Sequence, residues 1–152
     1  MAKSSKNKIG LQIDGLEQMI KDLEAAQGDL KAVTEEALIE SKKHVNEELK
    51  RVTVKENYPA KGKYSRKTNN TASSIDTDMT VQWEGMTASI KVGYDMKISG
   101  LASIFLLYGT PRHKPPMKAV RKMYNAIYGA KMRKEIGEIQ AKVFENAIKK
   151  GR

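Results

Sequence analysis

The chain contains no cysteine, which excludes disulfide scaffolds, zinc ribbons, thiol nucleophiles and Cys-ligated clusters. Small secreted domains usually carry bridges, so a reducing cytoplasm is the expected setting. Histidine is nearly as scarce. His44 and His113 are far apart in sequence, and neither has a second histidine at metal-ligand spacing. With two distant histidines and no Gly-x-Ser-x-Gly elbow, a nucleophilic triad has nothing to build on. Long apolar runs are missing too. The longest, residues 104–108, falls far short of the ~20 residues that a membrane helix needs. The first eight residues have the positive charge of a signal peptide without an apolar region behind it. Acid is short relative to base: 28 Lys+Arg against 18 Asp+Glu leave a formal charge of +10 on 152 residues. That length suits one domain burying roughly 68–70% of its unfolded surface. The 39% hydrophobic content is enough for a core.

Periodicity organises the chain. Residues 1–8 are polar and basic and are expected to be a disordered tail, with one α+β domain over 9–152. Ile9, Leu11 and Ile13 alternate as a short strand would. Asp14 and Glu17 then have the spacing that satisfies orphan amides at a helix start. A long amphipathic helix follows, with Leu16, Met19, Ile20, Leu23, Leu30, Val33, Ala37, Leu38, Val45, Leu49 and Val52 recurring at intervals of three and four. Lys21, Glu24, Glu35, Glu36, Lys42, Lys43, Glu47 and Lys50 are assigned to its solvated face. Gln27-Gly28-Asp29 interrupts the stripe and predicts a kink or short break, since an interior glycine costs about 1 kcal/mol against alanine.

Residues 55–74 are polar and basic and lack apolar periodicity, so they predict a long flexible loop. Ile75, Thr77, Met79, Val81 and Trp83 alternate, Glu84-Gly85 supplies a turn, and Ala88, Ile90, Val92 and Tyr94 alternate again. That is the pattern of a hairpin with one buried face. Residues 104–108 read as a buried segment, either a strand or a short helix. Pro111, Pro115 and Pro116 keep the next stretch extended, and Pro116 suits the first turn of a helix. Val120, Met123, Tyr124 and Ile127 form one stripe, Gly129 is a break, and Met132, Ile136, Ile139, Val143 and Ala147 form a second. The expected architecture is a long N-terminal amphipathic helix and C-terminal helices packed on a small antiparallel sheet.

The positive charge is concentrated. Residues 16–52 hold nine acids and six bases, so the long helix does not account for it. Residues 111–134 carry Arg112, Lys114, Lys118, Arg121, Lys122, Lys131, Arg133 and Lys134 with no acid. The 55–70 segment adds Lys55, Lys61, Lys63, Arg66 and Lys67 against Glu56. Tyr58, Tyr64, Tyr124 and Tyr128 are interleaved with these bases. Such clusters suit phosphates, and equally an acidic protein partner. No helix-turn-helix, zinc-finger or aromatic RNA-binding motif supports sequence-specific reading. Gly62-Lys63-Tyr64-Ser65 is similar to the tail of a phosphate-binding loop, but Asn57 and Tyr64 occupy positions the full pattern reserves for Gly and Ser or Thr. Among 28 basic residues no single lysine is marked out for catalysis.

The order of features resembles the small tail-completion, or head–tail joining, proteins of tailed bacteriophages and prophages. The resemblance rests on Ile13-Asp14-Gly15-Leu16-Glu17 at the helix start, Tyr58-Pro59, and residues 68–75 ending in Ser74-Ile75. Further along it rests on Val92-Gly93, Leu107-Tyr108-Gly109-Thr110 and Pro115-Pro116-Met117. It spans nearly the whole chain through short, degenerate motifs. Asn69 stands where the family has glycine and Met117 where it has phenylalanine, and residues 118–130 are longer and more basic than the family pattern.

The resemblance implies a structural virion protein without catalysis, cofactor or metal. Its partners would be other neck and tail proteins, and packaged DNA where it lines the channel. It would be assembled in the host cytoplasm as copies around the tail axis, each contact joining two different surfaces. Lys61, Lys63, Arg66 and Lys67 would order on assembly, while Arg112, Lys114, Lys118, Arg121 and Lys122 would face an acidic neighbour or the DNA channel. Tyr108 would be a buried aromatic before a glycine turn at Gly109. A tail terminator of the same neck and a nonspecific nucleic-acid-binding protein are the alternatives.

Overall fold

The computed structural model describes residues 21–22, 29–58, 70–85, 87–112, 114 and 116–150. The predicted strand at 9–13, the helix start at Asp14, residues 59–69 and His113 lie outside them. The fold is α+β and mainly helical, with helices α1 (Leu30–Val52), α2 (Asn70–Ser73), α3 (Met96–Tyr108), α4 (Arg121–Tyr128) and α5 (Ala130–Lys150). Strands β1 (Gln82–Glu84) and β2 (Thr87–Ser89) form the sheet, and a 3-10 turn spans Lys55–Asn57.

The break read at Gln27-Gly28-Asp29 is the start of α1. Asp29 is its N-cap, and its Oδ1 accepts from the amides of Lys31 at 3.0 Å and Ala32 at 3.1 Å, two of the donors a helix start leaves without intrahelical partners. From there Val33, Ala37, Val45, Leu49 and Val52 are buried. At the far end Asn57 Nδ2 donates to the Val52 carbonyl at 2.7 Å.

Helix α1 packs against α5 and α4. The main core joins Val45, Leu49 and Val52 of α1 to Ile75, Leu106, Leu107, Val120, Met123, Ala126, Ile127, Met132 and Ile136. A second cluster, Val33, Ala37 and Phe144, closes the other end of the α1–α5 pair. Each fully buried aliphatic side chain contributes about 1.5–3 kcal/mol. Gly129 ends α4, as the stripe pattern predicts, and its amide bonds the Asn125 carbonyl at 2.9 Å before α5 begins.

The segment expected as a loop over 55–74 is structured at both described ends. The 3-10 turn fills 55–57, and α2 is tied down by buried Thr71 and Ser74. Ser99 Oγ donates to Thr71 Oγ1 at 3.1 Å, and the Ile75–Tyr94 bridge follows. The hairpin is present, with Trp83 opposite Ala88 and a turn at Gly85 (φ 62°). Its paired strands are only three residues each, shorter than the alternation implies. Beyond the Asp76 amide bond to the Gly93 carbonyl, the rest of 76–81 is held by side chains, as the buried lysine described below shows.

Of the two readings of residues 104–108, the helical one holds: they belong to α3, which begins at Met96 with Asp95 as N-cap. One further expectation is corrected. Pro116 is not in a helical first turn, because Met117 bridges Thr110 in extended conformation and α4 starts only at Arg121.

Candidate partner-binding face

Residues 96–134 contain nine bases and not one acid. The fold distributes this stretch over α3, the connecting loop, α4 and the first turn of α5, where Lys131 and Lys134 pair with Glu135 and Glu138. The loop is pinned at its neck: the Thr110 amide donates to the Met117 carbonyl at 2.9 Å, and the Met117 amide to Thr110 Oγ1 at 3.1 Å. It projects Arg112 and Lys114, both exposed. The Val120 amide then reaches back to the Leu106 carbonyl at 2.7 Å, which lays the 117–120 strand of chain along the end of α3. Lys118, Arg121 and Lys122 are exposed in turn. Lys122 keeps its charge while its Nζ donates to the neutral Asn57 Oδ1 at 3.0 Å, which ties α4 to the turn after α1. Of the predicted site, Arg112, Lys114, Lys118, Arg121 and Lys122 are each exposed, while Lys61, Lys63, Arg66 and Lys67 lie outside the described residues.

Gly109 makes the neck possible. It has φ 75° and ψ −175°, a conformation essentially restricted to glycine. A Cβ there would sit 2.5 Å from the Met117 carbonyl oxygen and 2.9 Å from the Ala119 nitrogen.

The apolar half of this face is not apparent from the charge pattern. Helix α3 carries one charge, Lys97, in thirteen residues. It buries Ser99, Ser103, Leu106 and Leu107. The opposite side presents Ile98, Leu101, Phe105 and Tyr108 at spacings of three, four and three, one stripe of a helix. Ile98 is 55% exposed, Leu101 66% and Tyr108 50%. The expectation that Tyr108 is a buried aromatic is thus overturned: the helix turns Leu106 and Leu107 inward, which carries Tyr108 outward.

At the C-terminal end the stripe runs onto α4. The Tyr108 ring meets Tyr124 edge-on at 6.0 Å, and Tyr124 lies 4.9 Å from Tyr128. The Tyr108 hydroxyl donates to the Tyr128 hydroxyl at 3.2 Å. Burial pushes Tyr128 up to about 12, so that phenol is neutral at physiological pH. Arg121 stands one turn before Tyr124 on the same side of α4.

Several other titratable groups join elements of the scaffold. His44 Nε2 lies 2.9 Å from Glu135 Oε2 and joins α1 to α5. Its imidazole, with Lys131 beyond, holds the Glu135 carboxyl below the usual range. Lys42, expected on the solvated face of α1, is instead completely buried. Its Nζ reaches Asp76 Oδ2 at 3.1 Å and the Asp78 carbonyl, and neighbouring Asn46 Nδ2 donates to the Asp76 carbonyl at 2.9 Å. These contacts clip the 76–78 segment to α1. Trp83 is fastened nearby, its Nε1 donating to Glu35 Oε1 at 2.8 Å with Lys31 5.7 Å above the ring. Among the described residues no group of three or more His, Cys, Asp or Glu side chains is placed to hold a metal ion. No described helix is long and apolar enough to cross a membrane.

No family model, curated protein or solved structure matches the chain.

The face thus combines an exposed apolar stripe, a cluster of three tyrosines and exposed cations. Exposed apolar patches rimmed by polar residues are characteristic of interaction sites.

Proposed function

We propose that the chain is a structural subunit of a tailed-phage or prophage virion that completes or joins the tail at the head–tail interface. It acts through protein–protein contacts, as copies in a ring, and not by catalysis. The observation that carries a binding role is the α3–α4 face, where exposed Ile98, Leu101, Tyr108 and Tyr124 adjoin Lys118 and Arg121. The neck assignment draws on the family resemblance. Leu107-Tyr108-Gly109-Thr110, one of its motifs, lies at the turn where α3 gives way to the basic loop.

Nonspecific nucleic-acid binding is favoured by one observation, the nine bases without an acid in residues 96–134. It requires a duplex affinity that falls steeply with salt in proportion to the phosphates neutralised. A neck subunit requires only weak duplex binding by the free protein.

Negative-stain microscopy of an induced lysate lacking this gene tests the proposal. DNA-filled heads beside separate tails are the expected result. Overlong or ragged tails would move the subunit to tail termination, and intact infectious particles would refute the structural role.

A further inference from the structure

We propose that the α3–α4 face is the docking site for an acidic amphipathic helix of a second protein, a partner class that rests on the structural-subunit reading above. Three features of the face select this occupant. Ile98, Leu101 and Tyr108 lie along about three turns of helix, roughly 15 Å at 1.5 Å per residue, which matches the apolar stripe of a second helix laid against them. Cations bracket that stripe at both ends. Lys97 lies one turn from Leu101, the Lys118 backbone passes beside Gly109, and Arg121 precedes Tyr124 on α4. Apart from Asp95, which caps α3 next to Lys97, the sequence around them from 96 to 134 holds no acid. The complementary surface must therefore supply both apolar side chains and carboxylates.

Two other occupants fit less well. A duplex would satisfy the cations, but exposed isoleucine and leucine gain nothing from a phosphate backbone. A second copy of this chain arrives with the same +10 charge, so two such faces repel at long range. The tyrosines suit a protein contact in particular, because they give large, rigid contact area and are enriched in the centres of protein interfaces.

The test uses the full chain and a labelled synthetic peptide of about five helical turns, with leucine on one face and glutamate on the other. A scrambled isomer of identical composition separates amphipathic docking from charge alone, and a short DNA duplex serves as competitor. By fluorescence anisotropy, the amphipathic peptide should bind at least about tenfold tighter than its scramble, and salt should weaken it. Leu101→Glu and Ile98→Glu, each at an exposed helical position, should each weaken binding about tenfold or more while leaving the melting temperature near wild type. Lys142→Glu, exposed on α5, should change it less than about twofold.

Equal binding of peptide and scramble would overturn the proposal, as would equally tight duplex binding that Leu101→Glu leaves untouched. Concentration-dependent self-association abolished by Leu101→Glu, without peptide binding, would overturn it in favour of a second copy. The two readings fail separately. Peptide docking with normal virions in the gene-deleted lysate would remove the neck assignment alone, and separated heads and tails without peptide docking would remove this face alone.

Discussion

Lys42 offers the sharpest test of how the scaffold is held. Its side chain has no exposure at all, whereas that of Asp76 keeps 26%. Removing one partner of a buried pair typically costs about 3–5 kcal/mol, because the other charge is left uncompensated. For Lys42→Met the abandoned charge is Asp76, which water already reaches, so the cost should drop to about 2–3 kcal/mol. For Asp76→Ala the abandoned charge is an ammonium with no water, and the Asp78 amide also loses its 2.9 Å bond to Asp76 Oδ1. That variant should lose about 1 kcal/mol more. The double variant should be less destabilised than the sum of the two, by about 1–3 kcal/mol, since neither charge is then stranded. Urea denaturation followed by tryptophan fluorescence reads all three, Trp83 being the single tryptophan. A Lys42→Met variant within about 0.5 kcal/mol of wild type, or strict additivity in the double variant, would refute this account of the clip.

Other consequences follow from the same geometry. Gly109→Ala should cost about 3 kcal/mol from its backbone conformation and the clash with the Met117 carbonyl, lowering the melting temperature by about 6–12 °C in calorimetry. At high pH, burial holds Tyr94 and Tyr128 at about 12 against an ordinary 10. Their contribution to stability is complete below pH 10 and is lost between 10 and 12. Tyrosinate absorbance should therefore show two groups ionising at about 12, one of which disappears in Tyr128→Phe and the other in Tyr94→Phe. At low pH, Arg51 beside Glu48 and His44 beside Glu135 hold both carboxyls below 4.5. Their contribution is present above that value and is lost as pH falls through the folded-state values, so Glu135→Gln should flatten the acid limb of the stability curve.

What could be read from the residues divides along physical lines. Local signals carried over: the interruption read at Gln27-Gly28-Asp29 coincides with the Asp29 cap of α1, Gly129 stops a helix, and the stripes Val45-Leu49-Val52 and Met132-Ile136 enter the core. Each depends on neighbours within a turn or two. Lys42 failed because its burial is decided by Asp76 and Asp78, more than thirty residues away, and a lysine between stripe positions looks solvated until those partners are placed. The paired strands are shorter than the alternation because, beyond the Asp76 amide bond to the Gly93 carbonyl, Asp76 and Asp78 side chains take up the amides of Asp78 and Thr80. Helix α3 was obscured for a different reason. A segment apolar on both sides has no single period, so neither its helical state nor its exposed stripe is legible from spacing. The basic half of the candidate face was legible because charge needs no geometry to be counted. Its apolar half depends on which side of α3 faces the core.

The most direct test of the binding-subunit account is complementation of the gene-deleted lysate with wild-type or Leu101→Glu protein, counting joined particles by negative-stain microscopy. Wild type should restore heads joined to tails, and Leu101→Glu, although folded and expressed equally, should leave them separate. Joined particles at wild-type frequency with Leu101→Glu would contradict the assignment of this face to assembly.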